Sequence, residues 1–388
     1  MNKNGPRDVA ESRTEESRAD EPARLGIEGK IVLVLQGGGA LGAYQAGVYE
    51  ALHDAGVEPD WVIGTSIGAI NGAIIAGNEP GLRLTRLKQF WERVAYAGTA
   101  TAGWLPVLDD WWRQVSIMTQ GIPSFFIPYP QAWFGLQTPL GRERAAFYST
   151  VPLRETLCAL VDFDYLNMRE MRLTVGAVNV ANAHMRYFTN RDERLDVDHV
   201  MASAAFPPGF PSVHLEGEAY WDGGIYSNTP LEAVLDDHPR NSSVIFAVQL
   251  WPANGPEPES IWQAMGRQRD IQYSSRAESH LERQRQIHRL RHVIRELEQF
   301  IPEDKRKSKA VKDLLAWGCG TTMRVIELDA PHFGDDDLHK DIDFSTAGIK
   351  RRWQAGYEDT VNMLGCAPWR GEPDPMEGIC VVRARRET

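Results

Sequence analysis

Three short segments of this 388-residue chain carry residue types suited to acyl-transfer chemistry. The first is Gly64-Thr65-Ser66-Ile67-Gly68, a G-x-S-x-G between the apolar run 61–63 and the small, apolar run 67–76. Between a strand and a helix, this spacing predicts a nucleophile elbow. Glycines on both sides let the backbone fold sharply and leave the Ser66 Oγ exposed at the strand's carboxyl end. The helix behind it aims free N–H groups at the reacting centre. The same residues also fit a Gly-lined turn with a capping serine.

The second segment is Gly37-Gly38-Gly39-Ala40-Leu41-Gly42, which follows the strand-like run 30–36. Literally it is the G-x-G-x-x-G of dinucleotide sites. That use needs an acidic residue at the end of the next strand, but Asp60 precedes that strand and Gly64, Thr65 and Ser66 occupy its end. Backbone N–H groups of Gly38, Gly39 and Ala40, free of side-chain bulk, suit an oxyanion hole facing the serine one strand away. In the third segment a strand over 218–221 runs into Asp222-Gly223-Gly224, so an aspartate stands at a strand end beside a flexible turn. Alone, it also reads as an ordinary turn aspartate. His184, His199 and His214 are the nearest imidazoles for a Ser-His-Asp triad, and each also reads as a turn or surface histidine.

The elements that must hold these segments follow from the hydrophobic pattern. Residues 30–36, KIVLVLQ, form the continuous run of a parallel strand buried on both faces. Residues 43–55 predict an amphipathic helix with Val48, Leu52 and Ala55 on one face and Gly56 at its stop. Strand, loop, helix, strand, elbow and helix within about 45 residues is the pattern of a doubly wound, mainly parallel α/β sheet flanked by helices. Further strands are expected over 171–180, 185–190 and 244–250, with helices over 82–95, 200–206 and 345–364. Thr229 to Glu232 combines a capping box with Pro230 at the first helical position, and predicts a helix start. Residues 261–317 turn helical and rich in Arg, Gln and Glu, and a strand over 323–328 is expected to rejoin the sheet.

This divides the chain into a disordered tail over 1–28, a catalytic domain over 29–255 and a mostly helical extension over 256–388. A hydrophobic content of 43% supports a sizeable core, and a net charge of -11 excludes a general nucleic-acid binder. The uncharged stretches 31–49 and 61–78 are interrupted by glycines and read as buried strand plus helix rather than membrane spans. Cys158, Cys319, Cys366 and Cys380 lack metal-site or disulfide spacing, so no metal or cofactor is expected and a reducing, cytoplasmic setting fits.

The segment 104–134 is proline-broken and aromatic. Trp111, Trp112, Phe125, Phe126 and Trp133 are its candidates for an acyl-binding wall with a peripheral membrane contact; an irregular insertion packed on the core is the other reading. Between 281 and 301, Ile287, Leu290, Ile294, Leu297 and Ile301 recur in a heptad seam. It would pair within the chain, against 311–317 or the core, or make a homo-oligomer.

Together the glycine loop, the G-x-S-x-G and Asp222-Gly223-Gly224, followed by Asn228 and Pro230, resemble the patatin-like phospholipase family over roughly residues 30–250. The block SAAFPPGFP, 203–211, is also similar to that family's segment before its aspartate. The resemblance implies a Ser-Asp dyad acting on lipid esters. Ser66 would be the nucleophile, Asp222 the base, Gly223 and Gly224 the aspartate motif, and Gly37, Gly38, Gly39, Ala40 and Gly42 the oxyanion loop. An acyl-enzyme would form and be hydrolysed by water. Leu41 stands where members often carry Arg or Lys, which leaves the backbone donors unaffected. A carboxylate acting directly on serine is a poor base unless desolvated, so Asp222 should be buried with a raised pKa. A Ser-His-Asp esterase and a non-catalytic lipid-binding or scaffold protein are the alternatives.

Overall fold

Ile31, Leu33 and Leu35 of strand β1 (Lys30–Leu35) point to one face of a sheet and Val32 and Val34 to the other, and all five are buried. A strand covered on both faces needs no polar alternation, which is why the run is continuously apolar. The computed structural model describes residues 25–96, 116–333, 339–371, 374 and 376–383. Most of the expected N-terminal tail, together with Trp111 and Trp112, lies outside the described residues, as does the side chain of Trp133.

β1 is the middle of a nine-stranded sheet among the described residues. Its other members are β2 (Trp61–Gly64), β5 (Arg172–Asn179), β6 (Met185–Thr189), β7 (Val213–Leu215), β8 (Glu218–Asp222), β9 (Ser243–Gln249), β10 (Met323–Asp329) and β11 (Ile379–Arg383). The order is β11-β10-β9-β1-β2-β5-β8-β7, with β6 also pairing β5. β11 to β5 run parallel and β6, β7 and β8 are antiparallel, so the sheet is mixed but mainly parallel. A separate pair, β3 (Ile127–Pro128) with β4 (Tyr148–Ser149), stands beside it. Helices α1 (Ala43–Asp54), α2 (Ile67–Ala76), α3 (Pro80–Val94), α4 (Val151–Leu160) and α6 (Thr346–Cys366) add buried residues to the core on the Ile31 face. On the other face Val32, Val34 and Ile63 pack with Leu281 of α5 (Ile261–Glu298).

The register of β5 positions the site. Thr174 and Val175 pair with β2 on one edge and β6 on the other, while Ala177 and Val178 pair with β6 and β8. β2 and β8 therefore share one edge of β5 and approach each other end to end. Gly64 stops opposite Val175, Asp222 stops opposite Ala177, and only Gly176 separates them along β5. The end of β2 and the end of β8 are thus delivered to one point although 157 residues of chain lie between Gly64 and Asp222.

Two expectations change. Thr229 and Glu232 form no capping box: the Thr229 hydroxyl accepts Gln36 Nε2 at 2.8 Å and Glu232 accepts the Tyr187 hydroxyl, and the helix is the single turn Glu232–Leu235. The seam of α5 is not packed within the chain as a whole, because Leu290 and Leu297 are 63% and 53% exposed. The buried face of α5 instead presents Gln284, His288 and His292, bonded to Asp236, the Leu235 carbonyl and the Thr321 carbonyl. Accordingly, replacing Leu290 and Leu297 together by Asp should leave thermal unfolding within about 1 kcal/mol of wild type. A larger loss without a change of mass would mean that both side chains are packed within the chain. No helix among the described residues is long and apolar enough to cross a membrane.

Candidate active site

The elbow is built by close backbone contacts. A Cβ on Gly64 would stand 2.2 Å from the Gly68 carbonyl oxygen, and one on Gly68 2.2 Å from that of Leu35. Only glycine lets β2 turn back on α2 while α2 lies across the end of β1. Ser66, at φ 57° and ψ −126°, takes a conformation that a non-glycine residue adopts only when its surroundings impose it. Its N–H donates to the Ser203 carbonyl at 3.1 Å, and the Ser203 hydroxyl donates to Gly176 at 2.6 Å, tying the elbow to β5. Thr65 and Ile67 on either side are buried, and Ser66 is half-buried.

The glycine loop crosses directly above the serine. A Cβ on Gly37 would lie 3.0 Å from Ser66 Cβ and 2.4 Å from Asn228 Oδ1. The members of the loop differ in what they can do. The Gly37 N–H is held by the Asn228 carbonyl at 3.1 Å, and the Gly37 carbonyl accepts Asn228 Nδ2 and Trp251 Nε1. Gly37 therefore seats the loop and has no N–H to offer an oxyanion. Gly42 packs on Ile67, and Ala40 is fully buried behind the cavity wall. Gly38 and Gly39 line the cavity, and their N–H groups have no acceptor among the described residues. Leu41 is buried in the core.

Asp222 is fully buried. Its Oδ1 accepts the Gly224 N–H at 2.7 Å, and its Oδ2 is buried without a hydrogen bond of full geometry. Burial pushes the carboxyl up to about 7; the Ser66 hydroxyl and the Gly224 N–H act against that rise. Ser66 is thus the side chain that reaches this carboxyl, and catalytic hydrogen bonds are often loose before substrate binds. Gly223 abuts the Gly176 carbonyl, 2.5 Å from where its Cβ would stand.

Ser66 and Asp222 open into a cavity of about 270 Å³. Phe125, Phe126, Phe210 and Phe344 form its apolar wall, with ring centroids 5.5–6.1 Å apart from Phe125 to Phe126, Phe210 and Phe344. Of the expected acyl-binding residues, Phe125 and Phe126 line the cavity, and Trp111, Trp112 and the Trp133 side chain lie outside what is described. Neither His184, His199 nor His214 lines it: His184 and His214 are exposed, and the His199 ring caps its own helix through Asp196 at 2.7 Å.

The roof of the cavity carries no signal in the sequence pattern. Arg269 and Tyr273 of α5 and Asp341, Ile342 and Phe344 line the same cavity. Two ion pairs fix this roof: Arg269 to Asp341 at 2.5 Å, and Lys340 to Asp270 at 2.6 Å with both side chains 5% exposed. The Asp341 carbonyl stands 2.2 Å from where a Cβ on Gly39 would be, so it rests on the glycine loop. Burial raises the Tyr273 phenol pKa, and the charge of nearby Asp222 adds to that rise. The block 203–211 held a usable signal, since Phe206 and Phe210 both reach the cavity.

The chain resembles known proteins in sequence. A family model described as patatin-like phospholipase matches residues 33–235, and a second, described as patatin phospholipase, matches residues 271–376. Human patatin-like phospholipase domain-containing protein 6 is 39% identical over 97 residues, 25% of this chain and 7% of that protein. Lysophospholipase nte1 of Aspergillus terreus is 42% identical over 90 residues, 23% of this chain and 6% of its own length. Escherichia coli YjjU is 28% identical over 229 residues, 57% of this chain and 52% of that one. The chain thus spans a small part of the first two relatives and about half of the third. Among solved structures, VipD from Legionella pneumophila aligns with a TM-score of 0.39 and 16% identity, over 87% of this chain and 67% of its own.

Proposed function

Because the chain belongs to the patatin-like phospholipase family, we propose that it is a serine lipid acyl hydrolase working through a Ser66-Asp222 dyad. The observation that carries this reading is a desolvated carboxylate at the mouth of an elbow serine, inside an apolar cavity. Asp222 Oδ2 takes the Ser66 proton as Oγ attacks the ester carbonyl carbon. The carbonyl oxygen becomes an oxyanion that faces the free N–H groups of Gly38 and Gly39 and the amino end of α2. Collapse expels the alcohol, which receives the proton from Asp222, and leaves an acyl-Ser66 ester. Water, deprotonated by Asp222, then releases the fatty acid by the same steps.

A carboxylate with a pKa near 7 is matched to such proton transfers at neutral pH, so no imidazole is required. The apolar wall suits an acyl chain, and the protein is expected to meet its lipid at a membrane surface through apolar contact. The test is a panel of phospholipids, lysophospholipids, acylglycerols and short soluble esters, each run against Ser66→Ala. Lysophospholipids come first on that panel because the Aspergillus relative is named a lysophospholipase. Turnover of at least one acyl lipid that vanishes in the variant supports the reading; no turnover of any would end it.

The aromatic wall gives a narrower expectation. Phe125→Leu and Phe126→Leu should lose more kcat/KM on long-chain esters than on a butyrate ester, because the short chain leaves most of the wall untouched. Equal loss on both would assign the two rings to packing alone. Self-association through Leu290 and Leu297 is part of the proposal too, and light scattering of the double Asp variant should show a smaller mass than wild type.

A further inference from the structure

A second hollow of about 270 Å³ shares Asn228 with the catalytic cavity. Arg276, His280 and Arg283 recur on α5 at i, i+4 and i+7, so the helix turns one cationic face onto this hollow. The Arg276 guanidinium donates to the Ile225 carbonyl at 2.8 Å, and neither Arg276 nor Arg283 is paired with a carboxylate among the described residues. In a chain of net charge -11, two guanidinium groups without acidic partners are conspicuous. Guanidinium forks match phosphate oxygens.

Glu232 lines the same hollow. Its Oε1 accepts the Tyr187 hydroxyl, while its Oε2 is buried with no hydrogen-bond partner. A buried carboxylate oxygen without a donor is costly unless a ligand supplies one. The hollow therefore holds guanidinium groups without a carboxylate partner and one carboxylate oxygen without a donor. Their complement is a molecule with a phosphate and an ammonium group on a short linker.

We infer that this hollow is the headgroup subsite of the same active site, taking the aminoalkyl phosphate of a glycerophospholipid whose ester lies at Ser66. The assignment rests on the acyl hydrolase reading above. Asn228 joins the two: its backbone and amide hold Gly37, and the same residue lines both the catalytic cavity and the hollow. The glycerol backbone would pass over it, placing the ester carbonyl by the glycine loop and the phosphate by Arg276 and Arg283.

The test has a binding arm and a kinetic arm. Ser66→Ala protein is titrated by calorimetry with glycerophosphoethanolamine and, separately, with inorganic phosphate. Binding of the glycerophosphodiester should weaken at least tenfold when Arg276→Gln and Arg283→Gln are combined, and again with Glu232→Gln. Inorganic phosphate should bind more weakly and not respond to Glu232→Gln. Phosphate binding as tightly as the diester, or a diester indifferent to all three substitutions, overturns the headgroup assignment. In the kinetic arm, the ratio of kcat/KM for lysophosphatidylethanolamine over a monoacylglycerol of equal chain length should fall at least tenfold in the double Arg variant. An unchanged ratio also overturns it. If wild type hydrolyses neither lipid, the acyl hydrolase reading fails, and the binding arm still decides whether the hollow takes the headgroup.

Discussion

Ser66→Ala should lose lipid ester hydrolysis by on the order of 10⁴-fold in kcat or more while remaining folded, as expected when a nucleophile is deleted. The variant should fold because the elbow is held by its backbone. The Ser66 N–H bonds Ser203, Gly64 and Gly68 make the close approaches, and the flanking Thr65 and Ile67 are buried. The Oγ serves none of those contacts. Kinetics and a thermal melt check this together: a variant with full melting temperature and near wild-type rate would remove Ser66 from the mechanism.

Asp222→Asn should be equally inactive, and its stability should move in the direction opposite to that of a structural mutation. In the folded protein the carboxyl titrates near 7, against an ordinary value of 3.8, because it is buried. A raised carboxyl pKa contributes stability that is fully present below 3.8 and lost as pH rises through 7. Above pH 7 the buried charge then costs up to about 4 kcal/mol. Asn carries no charge at any pH. The variant is therefore expected to melt above wild type at pH 8, with the difference shrinking toward pH 4. Wild-type kcat/KM should rise about tenfold per pH unit below 7 and level off above it, since the base works deprotonated. His184→Ala, His199→Ala and His214→Ala should each retain most activity; a histidine variant as inactive as Asp222→Asn would replace the dyad with a triad. A wild-type profile flat from pH 5 to 8 would contradict the buried base.

The parts of this architecture that the sequence revealed are those written in local pattern. The run 30–36, the paired glycines around Ser66 and the strand 323–328 each declare themselves through apolar continuity or backbone freedom, and all three stand close to where they were expected. The glycine loop was legible as a unit, but not the division of labour within it. That the Gly37 N–H donates to the Asn228 carbonyl and the Asn228 amide donates back to the Gly37 carbonyl depends on a partner 191 residues away. The roof was hidden for the same reason. Arg269 and Tyr273 look like surface residues of a charged helical stretch, and Asp341 like a residue of a later loop, until the Arg269–Asp341 and Lys340–Asp270 pairs join the two over the cavity. The pairing of the α5 seam within the chain failed where periodicity alone is ambiguous, since Leu290 and Leu297 are exposed. The face that became buried is marked by Gln284, His288 and His292, whose partners are distant backbone and side-chain groups that no hydrophobic count registers.

The central claim, that Ser66 is an acylated nucleophile activated by Asp222, is tested most directly by intact-mass spectrometry after exposure to a fluorophosphonate. One adduct per chain is expected, mapped to Ser66, absent from Ser66→Ala and formed far more slowly by Asp222→Asn at pH 8. An adduct of equal yield on Ser66→Ala, or labelling of Asp222→Asn at the wild-type rate, would contradict it.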